Sequence, residues 1–257
     1  MSPLGAHSSI RRHEWALAGI AALIAFVIPM TVVGWLDDPE PELRVLETDT
    51  ALSTLIVDND AHILVINTGN REAAGAFLGR IAQPWEDRPT TIVAASTDDA
   101  AIGLWEALQR LEPSTVVVAG IPGADPLWAA IDAECARRQI ALRYVTDRAT
   151  VSTDRLQLTI FGVSLETDSG RGVVVRRGAV NVVVALDGTP PPVAGQALIF
   201  NGDPSPVTPD LLVTSDDEPR TPRQHEVLVN DLHAVRLVIE ETTVRVFGGL
   251  LRPPAAQ

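Results

Sequence analysis

Lysine is missing from this 257-residue chain, and cysteine is nearly so. All 20 basic residues are arginine, set against 33 acidic residues, for a net charge of -13. So acidic a chain repels a polyanion unless its arginines gather on one face, and direct nucleic-acid binding is not expected. The single cysteine, Cys135, excludes an internal disulfide. It sits in the helical pattern "WAAIDAECARRQ" with no histidine near it in sequence, and reads as a small buried side chain rather than a nucleophile. Aromatics make up only 4% of the residues, so a core must be built from Val, Leu, Ile and Ala. The five histidines, His7, His13, His62, His225 and His233, form no His-x-His or His-x-x-His pair. A zinc site needs several such ligands converging on one point, and the sequence offers no such set. No G-x-G-x-x-G, P-loop or G-x-S-x-G stretch is present, which removes the signatures of dinucleotide binding, nucleotide binding and serine hydrolysis.

Apolar content is not scarce. At 46% hydrophobic, the chain can bury one good-sized core or two small ones. The longest uncharged run, "WALAGIAALIAFVIPMTVVGWL" (15–36), has 22 residues, enough for a helix to cross about 30 Å of hydrocarbon. Trp15 and Trp35 bracket it as interfacial anchors, Arg11 and Arg12 precede it, and "DDPEPE" follows. A cleaved signal peptide would have a shorter apolar region followed by a small-residue cleavage site, and none precedes "DDPEPE". The expectation is a cytoplasmic tail (1–14), a single transmembrane helix (15–36), an acidic spacer (37–42), a folded extracytoplasmic domain (43–249) and a flexible tail (250–257). With Arg11, Arg12 and Glu14 set aside, 18 basic and 32 acidic residues remain outside, a net of -14.

Within that domain three short apolar runs, "LRVLET", "STLIVD" and "HILVINT", read as a β-meander. Helical and strand-like patterns then alternate: "NREAAGAFLGRIA", "TIVAAS", "DDAAIGLWEALQRL", "STVVVAG", "DPLWAAIDAECARRQ" and "IALRYV". Asp98 or Asp99 is placed to cap the second helix and Pro126 to open the third. From "DRLQLTIFG" onward the texture is mostly β. The order β-β-β-α-β-α-β-α-β followed by a β-rich half suits two mixed sheets packed face to face with helices outside, an α/β (α+β sandwich) class of fold.

From Leu43 onward the segments resemble the extracellular metallo-β-lactamase-like domain of ComEC-type DNA-uptake channel proteins. That family opens with "LDVGQGDA" and a strand ending "LIDGG" or "LIDTG", where this chain has "LETDTALSTLIVDNDAHILVINTG". Its "SHPDADHIGGL" follows a buried strand, where this chain has "ASTDDAAIGLW" (95–105). Its "LLTGD" corresponds to the end of "GVVVRRGAVNVVVALDG", with Asp187 at the matching place. Its "HHGS" falls where "ALIFNGDP" stands, and its closing "TDRDGAV" where "NDLHAVRLVIEETTVRV" stands. The resemblance implies a metallo-β-lactamase-like αββα fold. It also implies that the metal motif is lost: the ligand positions hold Ser96, Asp98, Ala100 and Ala101, the early aspartate is Asn67, and the "HHGS" site holds Asn201, Gly202 and Asp203. Only Asp187 keeps an expected ligand type, so no zinc cofactor is expected.

The residues expected to line the former metal cleft are therefore Asn67, Ser96, Asp98, Asp99, Asp187, Asn201 and Asp203. The leading expectation is a non-catalytic, membrane-anchored binding or scaffolding module, with a ComEC-like channel as the protein partner the resemblance suggests. The alternative is a phosphodiesterase-like metallo-hydrolase in which Asp98, Asp99, Asp187 and Asp203 hold Mg²⁺ or Ca²⁺ through oxygen alone. A structural role competes with that alternative, with Asp98 and Asp99 as helix caps and Asp187 and Asp203 in turns. A small-molecule sensor is a third possibility, weakened by a 14-residue tail with no signalling domain.

Overall fold

The structure is a computed structural model. It describes residues 40–48, 51–59, 61–81, 90–162, 170–187, 190–191, 193–201, 209–215, 226–229, 235–248 and 250–251. The 15–36 run, the 1–14 tail, Asp203, His225 and His233 lie outside the described residues. Among the described residues no helix is long and apolar enough to cross a membrane. The described residues all fall within one compact unit, Glu40–Gln257.

The meander forms as the alternation of the sequence predicts. Strands β1 (Glu42–Thr48), β2 (Ala51–Asp58) and β3 (Ala61–Ile66) pair antiparallel in chain order. Three β-α-β crossovers follow: α1 (Arg71–Ile81), β4 (Thr91–Ala95), α2 (Asp98–Arg110), β5 (Thr115–Ala119), α3 (Pro126–Arg138) and β6 (Ala141–Val145). Strands β3 to β6 are parallel. A parallel sheet flanked by crossover helices buries both faces, which explains the unbroken apolar runs "TIVAA" and "TVVVA".

The chain then builds a second sheet from β7 (Arg148–Ser152), β8 (Gln157–Phe161), β9 (Gly172–Arg177), β10 (Val180–Ala185), β11 (Ala197–Ile199), β12 (Leu211–Ser215) and β13 (Glu226–Val229). It returns to the first sheet through β14 (Val235–Ile239) and β15 (Val244–Phe247), and to the second through β16 (Leu250–Leu251). Each sheet has eight strands, ordered β15-β14-β1-β2-β3-β4-β5-β6 and β16-β13-β12-β11-β10-β9-β8-β7. One apolar cluster takes side chains from both sheets, Leu43, Ile56 and Val93 from the first and Leu158, Val182 and Val213 from the second. The mixed two-sheet α/β architecture read from the sequence is thus present.

Four details differ from the sequence reading. All three helices among the described residues connect strands of the first sheet, so the second helical layer of an αββα sandwich is not among them. Strands β10 to β13 are parallel and need crossovers, but the connections between them fall largely outside the described residues. The run "RATVS" forms β7, a strand the apolar pattern misses because it is an edge strand with exposed alternate positions. Leu250 and Leu251, placed in the tail from sequence, pair with β13. His62 is buried with Nδ1 unpartnered, because β3 lies between β2 and β4 inside the sheet.

One polar clamp ties the two sheets together. Asp58 at the end of β2 is 1% exposed. Its carboxylate accepts from the Thr153 hydroxyl, from the Arg155 backbone N–H at 2.9 Å and from Arg155 Nε at 3.0 Å. Burial pushes the carboxyl up, but the Thr153 and Arg155 hydrogen bonds and the guanidinium charge outweigh it and hold it below its ordinary value.

Candidate functional site

The site is built where strands end. In sheets with parallel strands, ligand crevices form outside the carboxyl ends, where loops leave the rigid scaffold. Here Asn67 follows β3, Ser96 and Thr97 follow β4, Gly120 follows β5, Asp187 follows β10 and Asn201 follows β11. A cleft of about 260 Å³ opens at these ends. Asn67, Thr68, Asp99, Asp187 and Asn201 supply its polar wall, and Leu52, Leu186 and Phe200 part of its apolar wall.

Each polar residue is held in place by local chemistry. Asn67 is pinned through its backbone: its N–H donates to Ser53 Oγ at 3.0 Å, and its carbonyl accepts from Thr48 Oγ1 at 3.0 Å. Thr48 and Ser53 are themselves buried and hydrogen-bonded to each other, so the pair serves as a polar seat for the end of β3. Asn70 caps α1, its Oδ1 accepting from the N–H groups of Glu72 and Ala73 at 2.8 and 3.2 Å. Helix α2 is capped by Thr97, whose hydroxyl accepts from Ala100 N–H at 3.2 Å. This corrects the expectation that Asp98 or Asp99 is the cap. Both lie inside the first turn, where their charge favours the helix N-terminus. Asp125 caps α3, and Pro126 opens it, as the sequence indicates.

The structure brings together four of the seven expected cleft residues: Asn67, Asp99, Asp187 and Asn201 all line it. Asp99 lies so close to Gly69 that a Cβ there would sit 2.8 Å from the aspartate Cβ. Asn201 Oδ1 accepts from the Thr214 hydroxyl at 3.3 Å. Two expected residues stand outside the lining. Asp98 Oδ1 lies 3.7 Å from where a Cβ on Gly123 would be, beside the β5–α3 loop. Ser96 is 5% exposed, with its hydroxyl buried and without a partner. Asp203 lies outside the described residues.

The residue that sequence reasoning missed is Arg171. Its backbone N–H donates to Asp187 Oδ1 at 3.1 Å and its Nη1 to Oδ2 at 2.5 Å, so both oxygens of the carboxylate are engaged by one residue. A signal for this contact exists in the hairpin register. The turn at Gly178 and Ala179 pairs Arg177 with Val180 and Gly172 with Ala185, which sets Arg171 opposite Leu186, next to Asp187.

The donor set decides whether a resident metal fits. A catalytic zinc site takes about three protein ligands of His, Cys or carboxylate type, and among the described residues no group of three His, Cys, Asp or Glu side chains is arranged to hold an ion. Ala100 and Ala101 are buried apolar side chains packed into the core, and Asp187 is committed to Arg171.

A second, more open hollow of about 610 Å³ lies beside β6 and takes in Ile121, Trp128 and Tyr144. Tyr144 donates to Asp132 at 2.5 Å, and burial together with that carboxylate pushes its hydroxyl well above the usual phenol range. Cys135 is buried in α3 as expected, and burial pushes its thiol up.

The fold and cleft define an α/β protein of two mixed sheets with a polar crevice at its strand ends. No family model matches the sequence, and no curated protein does. Solved structures similar to the chain include the Rm3 metallo-β-lactamase, with 20% identity, a TM-score of 0.39 and coverage of 55% of this chain and 57% of that one. The metallo-β-lactamase fold protein YhfI from Bacillus subtilis has 11% identity and a TM-score of 0.39 over 63% and 71% of the two chains. The metallo-β-lactamase MIM-1 from Novosphingobium pentaromativorans has 14% identity and a TM-score of 0.40 over 68% and 76%. The chain thus spans little more than half the length of the Rm3 protein.

Proposed function

We propose that this chain is a non-catalytic, membrane-anchored module with a metallo-β-lactamase-like sandwich, working as a binding or scaffolding domain on the outer side of a membrane. The observation that carries the reading is the Arg171–Asp187 pair. Asp187, a carboxylate at a family ligand position, is neutralised by an arginine of the same chain. Buried Ala100 and Ala101 support it, since neither side chain has a donor atom. Anchoring rests on the uncharged 15–36 run with its tryptophan bracket and flanking charges. That flanking pattern favours a cytoplasmic N-terminus. The order of segments favours a ComEC-like channel as partner, and the acidity of the domain favours protein over DNA as what it touches.

The competing reading is a phosphodiesterase-like metallo-hydrolase. One observation favours it: Asp99 and Asp187 line the same cleft. The two readings separate on turnover. The full chain, purified in detergent and supplied with Zn²⁺, Mn²⁺ or Mg²⁺, is expected to leave bis-(p-nitrophenyl) phosphate intact, and in membranes of the expressing cells it is expected to stay in the membrane fraction after alkaline carbonate. Hydrolysis that disappears in Asp187→Ala would replace this reading with the hydrolase. Release by carbonate would remove the anchor.

A further inference from the structure

The cleft carries a cation of its own. Arg171 is joined to Asp187 at both carboxylate oxygens. Its Nε is buried without a partner, as is the hydroxyl of Ser96. Both atoms crowd the backbone at the end of β5. A Cβ on Gly120 would collide with Ser96 Oγ and sit 3.0 Å from Arg171 Nε, and Gly120 holds a φ of +105°. The bare glycine therefore makes room for the guanidinium. The next residue is fixed as tightly, since a Cβ on Gly172 would lie 2.5 Å from the Pro191 ring and 2.7 Å from the Val184 carbonyl. Arg171 thus enters the pair from the residue just before β9, in closely packed surroundings, and its side chain meets the Asp187 carboxylate.

We propose that Arg171 is the resident cation of the cleft, an intramolecular competitor that occupies Asp187 and closes the site to divalent metal ions. The oxygen-bearing side chains Asn67, Asp99, Asp187 and Asn201 line one crevice. Two carboxylates and two amide carbonyls, completed by water, are the ligand types that hard cations such as Mg²⁺ and Ca²⁺ take. A metal entering there must displace a tethered guanidinium from Asp187, and that guanidinium is always charged and held next to its partner by the hairpin register. The orphaned Nε and Ser96 hydroxyl add to the argument. Polar atoms left unpaired in a buried place are costly, and the chain bears that cost to keep Arg171 against Asp187.

The inference goes beyond the non-catalytic reading, and its test fails separately. The full chain in detergent is melted with and without millimolar Mg²⁺, Ca²⁺ and Mn²⁺, and Mn²⁺ binding is followed by equilibrium dialysis. The wild type is expected to bind no Mn²⁺ and to show no shift in Tm. In Arg171→Ala and Arg171→Gln the ions are expected to raise Tm by several degrees, because an ion that binds only the folded state stabilises it by mass action. The double variant Arg171→Ala/Asp187→Asn is expected to lose that response. A variant that unfolds is read the same way: recovery of the folded circular-dichroism signal on adding the ion supports the inference, and no recovery overturns it. Stoichiometric Mn²⁺ on the wild type that is lost in Asp187→Asn also overturns it, as do folded Arg171 variants indifferent to every ion. Metal uptake without phosphodiester turnover leaves the non-catalytic reading standing. Turnover overturns that reading whatever Arg171 does.

Discussion

Gly120 shows how much of the cleft depends on a single missing side chain. Its φ of +105° is in the region that L side chains avoid, and its Cα faces Ser96 and Arg171. Gly120→Ala is expected to cost roughly 1–3 kcal/mol from backbone strain, and more if Ser96 or Arg171 must move. Thermal melting checks this, with Gly79→Ala as the control, since nothing lies within 4 Å of a Cβ at that exposed helical position. Equal melting temperatures for the two variants would mean that Arg171 is not held as described. In the sequence, Gly120 ends "STVVVAG" and reads only as a turn after a strand. Its conformation and its neighbours come from residues 24 and 51 positions away, Ser96 and Arg171, so no local pattern announces them. Asp187 was legible as a cleft residue; its pairing with an arginine was not.

At the scale of the element, α2 is the clearest case of a boundary decided by geometry. "STDD" offers four candidate caps in a row. Thr97 takes the role because its extended backbone, at φ -84° and ψ 155°, aims the hydroxyl at Ala100 N–H. Asp98 and Asp99 then fall in the first turn. Thr97→Ala is expected to lower stability by about 1 kcal/mol, and Asp98→Ala by less, since it loses a charge near the helix dipole and leaves the capping hydrogen bond in place. Urea unfolding of the two variants checks the order, and the reverse order would return the cap to Asp98. The helix itself was plain from its apolar spacing, as were α1 and α3. Strand β7 was hidden because an edge strand has little apolar surface to bury, and its exposed alternate residues look like loop.

Across the whole molecule the two sheets meet through one apolar core and the Asp58 clamp. The folded-state pKa of Asp58 lies below its ordinary value. Its contribution to stability is therefore complete above about pH 4, the unfolded carboxyl's pKa, and is lost as pH falls through the lower folded value. Asp58→Asn is expected to cost about 3 kcal/mol near neutral pH, because it removes the buried carboxylate that accepts from Thr153 and Arg155 and pairs with the guanidinium. The variant is also expected to lose less stability than the wild type between about pH 5 and pH 2. Chemical denaturation across that range checks both. Parallel acid profiles would mean that the clamp does not link folding to protonation.

By itself the sequence determined the period and order of the elements, the aliphatic composition of the core and the scarcity of metal-binding side chains. These follow from local spacing and residue type, which need no partner from elsewhere in the chain. Only the tertiary structure decided which strands share a sheet, that β14 returns beside β1, that His62 is inside, and that Arg171 is what Asp187 meets. Those facts are contacts between residues far apart in the chain. Strand pairing and the packing of one sheet on the other fix them, and the free energy that selects them is that of burying the whole apolar core at once.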